Sequence, residues 1–479
     1  MNEIRIRNFK EIPYDELEEL NLVAKQKMLA RPGEAELQDH YLKYLTDEKQ
    51  LKAVTVCFTD IEGRFHMLDY DKKFLIRSHD NLTFDGSSIR GFSAQRESDL
   101  RLAVDWGTFR WLPSDVFGAG KVMVFGLIKD RDGSDYSADL RSQLRRFNEG
   151  LRAQGMQTNL APEVEGFLFQ GLNAEQEFNA DKGFQFVSEG GYFHALPTAP
   201  LKVFIDRVAE AQRALGFENE KDHPEVAPSQ FELNYSYTDA LAAADQIQLY
   251  KLAARQIAAG MGMTASFLPK PRTGINGSGM HMNISITKDG KNLFHDEKGQ
   301  DGISAFGWSA IDRILASAEE LCLILNSSVN AYRRLDPHFE APNQIRTSAI
   351  DRAAMVRIPI GNAKSARIEV RSVGPDANPY LTVLALFKTA LEGPTDPAKS
   401  LKLRDARDRF LAGTIQEALG HFDKGEWVKQ LMGEQNKAKY SDLKWAVANR
   451  SARELGTRIK SSEIRFHHDV TNQHLWNQF

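Results

Sequence analysis

The sequence predicts an α+β protein of more than one domain, and three observations carry that reading. Strand-like and helix-like runs are interspersed without the strict strand–helix–strand rhythm of a doubly wound sheet. Residues 52–136 are rich in short alternating runs and stand apart from the helical stretch before them and the mixed stretch after them. Finally, the glycine-rich run Lys270-Pro-Arg-Thr-Gly-Ile-Asn-Gly-Ser-Gly279 feeds directly into Met280–Ser285, where apolar and polar residues alternate as in a half-buried strand. The expected divisions are 1–51, 52–136 and 137–479.

In chain order, Tyr14 to Ala30 carries leucines, Val23 and Met28 at rough helical spacing, Arg31-Pro32-Gly33 breaks the helix, and Glu34 to Leu51 resumes it. Val54, Val56 and Phe58 alternate, Asp60–Arg64 supplies a turn, and Phe65 to Leu68 continues as the second arm of a hairpin. Phe84–Ile89 reads as a loop, and Leu100–Val104, Arg110–Leu112 and Lys121–Gly126 as further short strands. Helices are expected over Leu140–Met156, Leu201–Leu215, Asp239–Met263, Ala305–Leu325 and Asn378–Leu391, and strands over Gln157–Phe169, His223–Tyr237, Val356–Pro359 and Ser365–Val373. Residues 400–479 are polar, charged and mostly helical in pattern.

Composition narrows the function classes. A chain of 479 residues with 42% apolar and 26% charged residues is ordinary globular material. A net charge of −4 argues against nucleic acid or an anionic membrane as partner. No run of ~18 apolar residues is present, and the first residues lack the apolar segment of a signal peptide. Cys57 and Cys322 sit in apolar surroundings, as structural cysteines of a reduced, cytoplasmic protein would.

Three groups of residues carry chemistry. Glu163 and Glu165, two apart on a strand, share a face; they fit either a solvated strand end or a cation site, since burying such a pair needs compensating charge. Glu225 and Glu232 flank Pro228-Ser229 and converge if the segment turns there; otherwise they belong to a solvated loop. With His281 on the strand after the glycine loop, this set suits Mg2+ or Mn2+ better than a thiolate zinc site. Arg333, Arg334, Arg352, Arg357, Arg367 and Arg371 fall within about forty residues, interleaved with apolar runs, which suits carboxylate and phosphate binding better than a solvated edge strand. Acidic metal ligands, a glycine loop and clustered arginines together are the inventory of phosphoryl transfer; no Walker loop or protein-kinase motif set is present.

At this point the chain resembles glutamine synthetase, in particular the bacterial type built as two stacked hexameric rings. The resemblance rests on Phe84-Asp-Gly-Ser-Ser-Ile with Glu97-Ser-Asp99, Glu163-Val-Glu165, Gly190-Gly-Tyr-Phe193, Glu225–Glu232, Asn276-Gly-Ser-Gly-Met-His281, Arg334–Glu340, Asp351-Arg352, Arg357-Ile-Pro, Arg367-Ile-Glu-Val-Arg371 and Asn378-Pro-Tyr380, all in family order over residues 52 to 392. It implies a β-grasp N-terminal domain, then a catalytic domain with a curved antiparallel sheet that takes ATP, and a likeness that fades in the C-terminal segment.

The resemblance also implies roles. Glu165, Glu225 and Glu232 would hold the metal nearest glutamate; Glu163, His281 and Glu369 would hold the one nearest the ATP phosphates. Asn276, Gly277, Arg334 and Arg371 would bind glutamate, while Glu220, Tyr237, Ser285, Arg352, Arg357 and Arg367 would serve the nucleotide and the moving phosphoryl group. Asp85, Ser88, Tyr192, Glu225 and Glu340 would form an ammonium pocket, with Asp85 and Ser88 reaching a neighbouring subunit of a dodecamer. The implied reaction makes glutamine from glutamate, ammonia and ATP through γ-glutamyl phosphate, with Mg2+ or Mn2+. A ligase joining glutamate to a larger amine is the runner-up, and a non-catalytic relative the third reading. Departures from the family pattern are Arg272 in place of an apolar residue, Asn283 where many members have a second histidine, and Arg90 and Phe92 near the N-terminal motif; no Asn-Leu-Tyr adenylylation loop follows Glu392.

Overall fold

The computed structural model describes residues 8–30, 32–93, 99–178, 182–195, 199–335 and 341–449. They form two compact units, one of the described residues within 8–61, 65–142 and 206–219, the other of those within 62–64, 143–205 and 220–449.

The first unit begins with α1 (Tyr14–Ala30) and α2 (Glu34–Asp47), followed by β1 (Ala53–Thr59), β2 (Phe65–Asp71), α3 (Lys72–Ser78), β3 (Leu82–Asp85), β4 (Asp99–Trp111), α4 (Ser114–Phe117) and β5 (Lys121–Lys129). The strands make one five-stranded sheet in the order β2-β1-β5-β4-β3. β1 and β5 run parallel and the other neighbours antiparallel. Every residue of β1 is buried, which explains its unbroken run of apolar and small residues. The stretch expected as two strands around residues 100–112 is the single strand β4, with a register shift between Asp105 and Arg110 that bends it without ending it. Phe84, expected in a loop, lies in β3, and Asp85 ends that strand.

The helical arm packs on β4. Tyr41 stacks on Phe109 at 4.3 Å, Trp111 meets Phe109 edge-on at 4.9 Å, and the Trp111 indole donates to Tyr44 Oη at 2.8 Å. Asn21 is fully buried; its amide nitrogen donates to the carbonyls of Trp111 and Ala214, and its oxygen accepts from Trp111 N. Such a saturated buried amide fixes the helix in one register on the strand. Phe92 is buried edge-on against Tyr136 at 5.4 Å, so this departure from the family motif belongs to the core of the unit.

The second unit is built from α5 (Leu140–Arg152), β6 (Met156–Gln170), α6 (Pro200–Ala214), β7 (Asn219–Pro224), β8 (Gln230–Tyr235), α7 (Ala240–Gly260), β9 (Met263–Ser266), β10 (Met280–Lys288), β11 (Lys291–Asn292), α8 (Ala305–Leu325), α9 (Val329–Arg334), β12 (Gln344–Ser348), β13 (Ala354–Arg357), β14 (Ile368–Val370), α10 (Pro379–Glu392), α11 (Pro397–Arg404), α12 (Ile415–Lys424), α13 (Glu426–Met432) and α14 (Glu434–Ala448); parts of α5, α6 and β7 group with the first unit. Its nine-stranded sheet runs β12-β13-β14-β10-β6-β8-β7, with β9 added on β6 and β11 on β10. Pairing is antiparallel between β6 and each of β8, β9 and β10, between β10 and β14 and between β13 and β14, and parallel between β12 and β13.

The run 223–237, read from alternation as one strand, divides into β7 and β8 around a turn. Ser229 adopts φ 58°, a left-handed conformation that reverses the chain after Pro228. The helices that cover the sheet start on side-chain caps: Asp239 on α7, Ser304 on α8, Ser328 on α9 and Asn378 on α10. No helix among the described residues is long and apolar enough to cross a membrane. Both cysteines are buried and outside any disulfide, and burial pushes the Cys322 thiol up to about 12, as expected of inert structural cysteines.

Candidate active site

The strand registers of the second sheet bring distant residues into one row. Glu165 on β6 lies opposite Glu232 on β8, Glu163 opposite His281 on β10, Asn283 opposite Glu369 on β14, and Glu369 opposite Arg357 on β13. A cross-strand pair places side chains ~5 Å apart, so four registers suffice to assemble carboxylates, imidazole and guanidinium from five strands.

Among the described residues, two clusters of metal-competent groups result. In the first, ligand atoms of Glu163, His281 and Glu369 lie within 4.8 Å of one another. His281 Nδ1 is 3.4 Å from Glu163 Oε2 and 3.6 Å from Glu369 Oε1. Burial alone would raise the Glu163 carboxyl, but His281 and the Asn283 amide hold it down to about 2. In the second, ligand atoms of His223, Glu225 and Glu232 lie within 4.8 Å. Burial and the neighbouring Glu165 and Glu232 push Glu225 up to about 9. Glu165 is also raised, by burial and by Glu232, against the pull of His281 and Arg334. Protein cations alone therefore do not neutralise this side of the site, and an all-oxygen and imidazole donor set fits a divalent ion.

Glu165 is expected with Glu225 and Glu232, and its position is adjacent to both in charge terms, but its Oε2 is already engaged. It accepts from Gly279 N at 2.8 Å and Gln230 Nε2 at 3.2 Å. His223 is the residue that sequence reasoning missed. Its signal is position: it lies two residues before Glu225 and so on the same side of an extended segment.

The glycine loop is held from both ends. Ser278 N donates to Pro269 O at 2.8 Å, Lys270 Nζ to Ile275 O at 2.5 Å, and Gln230 Nε2 to Gly277 O at 3.0 Å. Its glycines exist for close approach. A Cβ on Gly277 would lie 2.5 Å from Pro269 O, and one on Gly279 would lie 2.4 Å from Arg334 Nη2 and 2.7 Å from His281 Nε2. Arg334, on α9, is buried and donates to the carbonyls of Val373 and Arg371 at 3.2 and 3.0 Å; burial and Arg371 lower it to about 10.

Two of the remaining arginines, Arg357 and Arg371, pair with Glu369. Arg357 Nη1 donates to Glu369 Oε2 at 2.7 Å, Arg371 Nε lies 3.1 Å from Glu369 Oε1, and Arg371 Nη1 donates to Arg352 O at 2.6 Å. Arg367 Nε donates to Asn283 Oδ1 at 3.0 Å, while the Asn283 amide nitrogen donates to Glu163 Oε1 at 3.0 Å. Asn283, one of the family departures, thus bridges a carboxylate and a guanidinium. Ser285 accepts from Asn159 at 3.3 Å further along β10, Glu220 accepts from Ser236 at 2.9 Å, and Tyr237 is exposed. Arg272, another departure, lies over the Phe186 ring at 5.6 Å.

Tyr192 and Phe193 stack at 3.9 Å, half exposed, and meet the His223 ring edge-on at 5.6 and 4.6 Å. Their loop is pinned by Ser229, whose hydroxyl accepts from Val187 N and Ser188 N at 2.7 and 3.0 Å. Burial and the carboxylates of Glu225, Glu232 and Glu163 raise the Tyr192 phenol. In the first unit, Asp85 is exposed and accepts from Ser87 N at 2.9 Å and from the hydroxyls of Ser87 and Ser88 at 2.6 and 2.7 Å, bonds that lower its pKa. Glu340, and with it Glu97 and Ser98, lies outside the described residues.

The family models for the glutamine synthetase β-grasp domain and the glutamine synthetase catalytic domain match residues 50–129 and 137–464. A glutamine synthetase of Methanosarcina mazei is 34% identical over 401 residues, covering 81% of this chain and 89% of the relative. That of Thermotoga maritima is 32% identical over 438 residues, covering 88% and 98%. Among solved structures, the cryo-EM structure of Plasmodium falciparum glutamine synthetase superposes with a TM-score of 0.77 over 90% of this chain and 98% of that one, at 20% identity, a likeness of fold. With both domain models matched in order, and relatives above 30% identity along most of its length, the chain belongs to the glutamine synthetase family.

Proposed function

We propose that the protein is a glutamate–ammonia ligase, forming glutamine from glutamate, ammonia and ATP through γ-glutamyl phosphate. The observation that carries this reading is the row Glu232–Glu165–Glu163–His281–Glu369–Arg357 across adjacent strands. A ligase of this kind must hold two anions, a carboxylate and a triphosphate, close enough to react, so it needs alternating acid-bound cation sites and guanidinium groups.

Glu163, His281 and Glu369 would hold one divalent ion on the phosphate side; Glu165, Glu225 and Glu232 would hold another on the glutamate side. When bound, these ions supply charge neutralisation of the phosphoryl oxygens and the carboxylate. Arg334, Arg371 and the Asn276-Gly277 loop orient glutamate so that its side-chain carboxylate attacks the γ-phosphorus. Arg352, Arg357 and Arg367 stabilise the charge that spreads over the transferred group. Glu220, Ser285 and Tyr237 line the nucleotide's path. Asp85, Ser88, Tyr192, Glu225 and Glu340 attract ammonium, and a carboxylate among them takes its proton, so that the free amine attacks the acyl phosphate and phosphate leaves. Glu340 shields that intermediate from water. Asp85 and Ser88 take part from a neighbouring subunit of a ring-shaped oligomer, a dodecamer of two hexamers.

A ligase that accepts a larger amine is the second reading, favoured by the half-exposed Tyr192–Phe193 stack beside His223 and Glu225, an aromatic and acidic wall that suits an organic cation. Phosphate release from Mg-ATP and glutamate separates the two. Release with ammonium and formation of glutamine supports the first. Release only with putrescine, ethanolamine or methylamine replaces it with the second, and the absence of release with any of these acceptors from metal-replete protein overturns both.

A further inference from the structure

We infer that Asn330 is a positioning residue for glutamate: it fastens the glycine loop to the helix that carries Arg334, so that loop and guanidinium meet the substrate as one body. This rests on the reading of Asn276, Gly277 and Arg334 as groups that orient glutamate, and adds the residue that fixes their spacing. Asn330 lies on α9, four positions before Arg334, and residues four apart share a helix face. Both are buried, Asn330 completely.

The Asn330 side chain pairs with both backbone groups of Lys270. Its Oδ1 accepts from Lys270 N at 2.7 Å, and its Nδ2 donates to Lys270 O at 2.8 Å. A backbone N–H only donates and a carbonyl only accepts, so the amide has one orientation here. Lys270 opens the loop, and its Nζ donates at 2.5 Å to the carbonyl of Ile275, directly before Asn276. At the far end Ser278 N donates to Pro269 O at 2.8 Å. The loop is therefore closed on its own base, and that base is fixed to α9. Gly277 then lies against the stem of Arg334: a Cβ there would stand 3.0 Å from Arg334 Cγ. The helix is itself held at its start, where the Ser328 hydroxyl accepts from Ala331 N at 3.1 Å and the Ser327 hydroxyl donates to Asp376 O at 3.3 Å. The alternative is an amide that only satisfies two buried backbone groups. That role predicts a loss of stability with no preference for glutamate over ATP.

Tryptic cleavage and steady-state kinetics on the full-length protein separate the two. Arg272 is exposed in the loop and precedes Thr273, whereas the bond after Lys270 is blocked to trypsin by Pro271. Asn330→Leu takes the partner from Lys270 N and O. Lys270→Met instead cuts the tie to Ile275 O and keeps both Asn330 bonds, so it carries the test if the first variant does not fold. Either variant should be cut after Arg272 about tenfold faster than unaltered protein, with other tryptic sites unchanged, and should raise the KM for glutamate about tenfold or more while changing that for ATP less than about threefold. Glutamate and ATP constants that move together, or cleavage at Arg272 that does not change, overturn the assignment of Asn330 while leaving the glutamate reading standing. Unaltered protein that releases no phosphate from ATP in the presence of glutamate and any acceptor overturns both.

Discussion

A methyl group at residue 279 would lie 2.4 Å from Arg334 Nη2, 2.7 Å from His281 Nε2 and 3.0 Å from His281 Cδ2. Ordinary van der Waals separation is ~3.5 Å or more, so Gly279→Ala forces movements of about 1 Å on two residues at once. Arg334 has little freedom to yield, because its two terminal nitrogens are bonded to Val373 O and Arg371 O in a buried setting. His281 is fixed on β10 between Glu163 and Glu369. The Gly279 amide that donates to Glu165 would shift with them. Misplacement of site groups by ~1 Å costs on the order of 100-fold in rate, and overpacking a buried site costs about 1–3 kcal/mol of stability. The assay is kcat/KM for glutamate, with Mn2+ affinity and thermal midpoint measured on the same protein. Gly274→Ala is the comparison: φ there is +82° with nothing within 4 Å of the added carbon, so its effect is ~1–2 kcal/mol of backbone strain without a collision in the site. Folded Gly279→Ala protein with unchanged kcat/KM and Mn2+ affinity would refute the placement of Arg334 and His281 around a common substrate.

Asn283→Leu removes the bridge between Glu163 and Arg367 and should raise the KM for ATP about tenfold or more, more than it changes the KM for glutamate; equal effects on both would reject the bridge as a nucleotide-side device. Lys444 on α14 and Glu62 form a buried ion pair at 3.0 Å. Lys444→Met should cost roughly 3–5 kcal/mol, and the double variant with Glu62→Gln less than the sum of the two, whereas additive losses in a denaturation cycle would show no coupling. Burial, with help from Arg255, pushes the Lys251 ammonium down to about 7. From about pH 7 up to the ordinary lysine value, the unfolded chain binds a proton that the folded chain does not, so stability rises by up to about 1.4 kcal/mol per pH unit over that window, and the full penalty remains below it. Lys251→Met should flatten this slope, and an unchanged slope in denaturation at pH 7 to 10 would disprove the burial of a neutral amine.

Much of the fold was legible because its signals are local. The limits of α8 coincide with Ala305–Leu325 as read from periodicity, and the arm helices and the strand β10 follow from residues a few positions apart, although β10 is buried on both faces from Met280 to Ile284 and not half-buried as its alternation implied. Errors arose where a local pattern is compatible with two geometries. Residues 223–237 alternate throughout, yet a left-handed Ser229 divides them, and residues 100–112 look interrupted, yet cross-strand bonds on both sides of a register shift keep them one strand.

The sequence by itself determined which chemical groups the protein carries: its carboxylates, one imidazole after a glycine loop, a cluster of arginines, and through their order the glutamine synthetase family. Only the tertiary structure decided which of them meet. Glu163, His281 and Glu369 are far apart in the chain and converge because β6, β10 and β14 pair in one register, and a slip of one residue would send each side chain to the other face. That register is set by burial of whole strand faces, a property of the sheet and not of any short segment. The same long-range pairing places Asn283 between Glu163 and Arg367, a contact for which the chain carries no local mark, whereas His223 stands two residues from Glu225 in the sequence and meets Glu232 only in the fold.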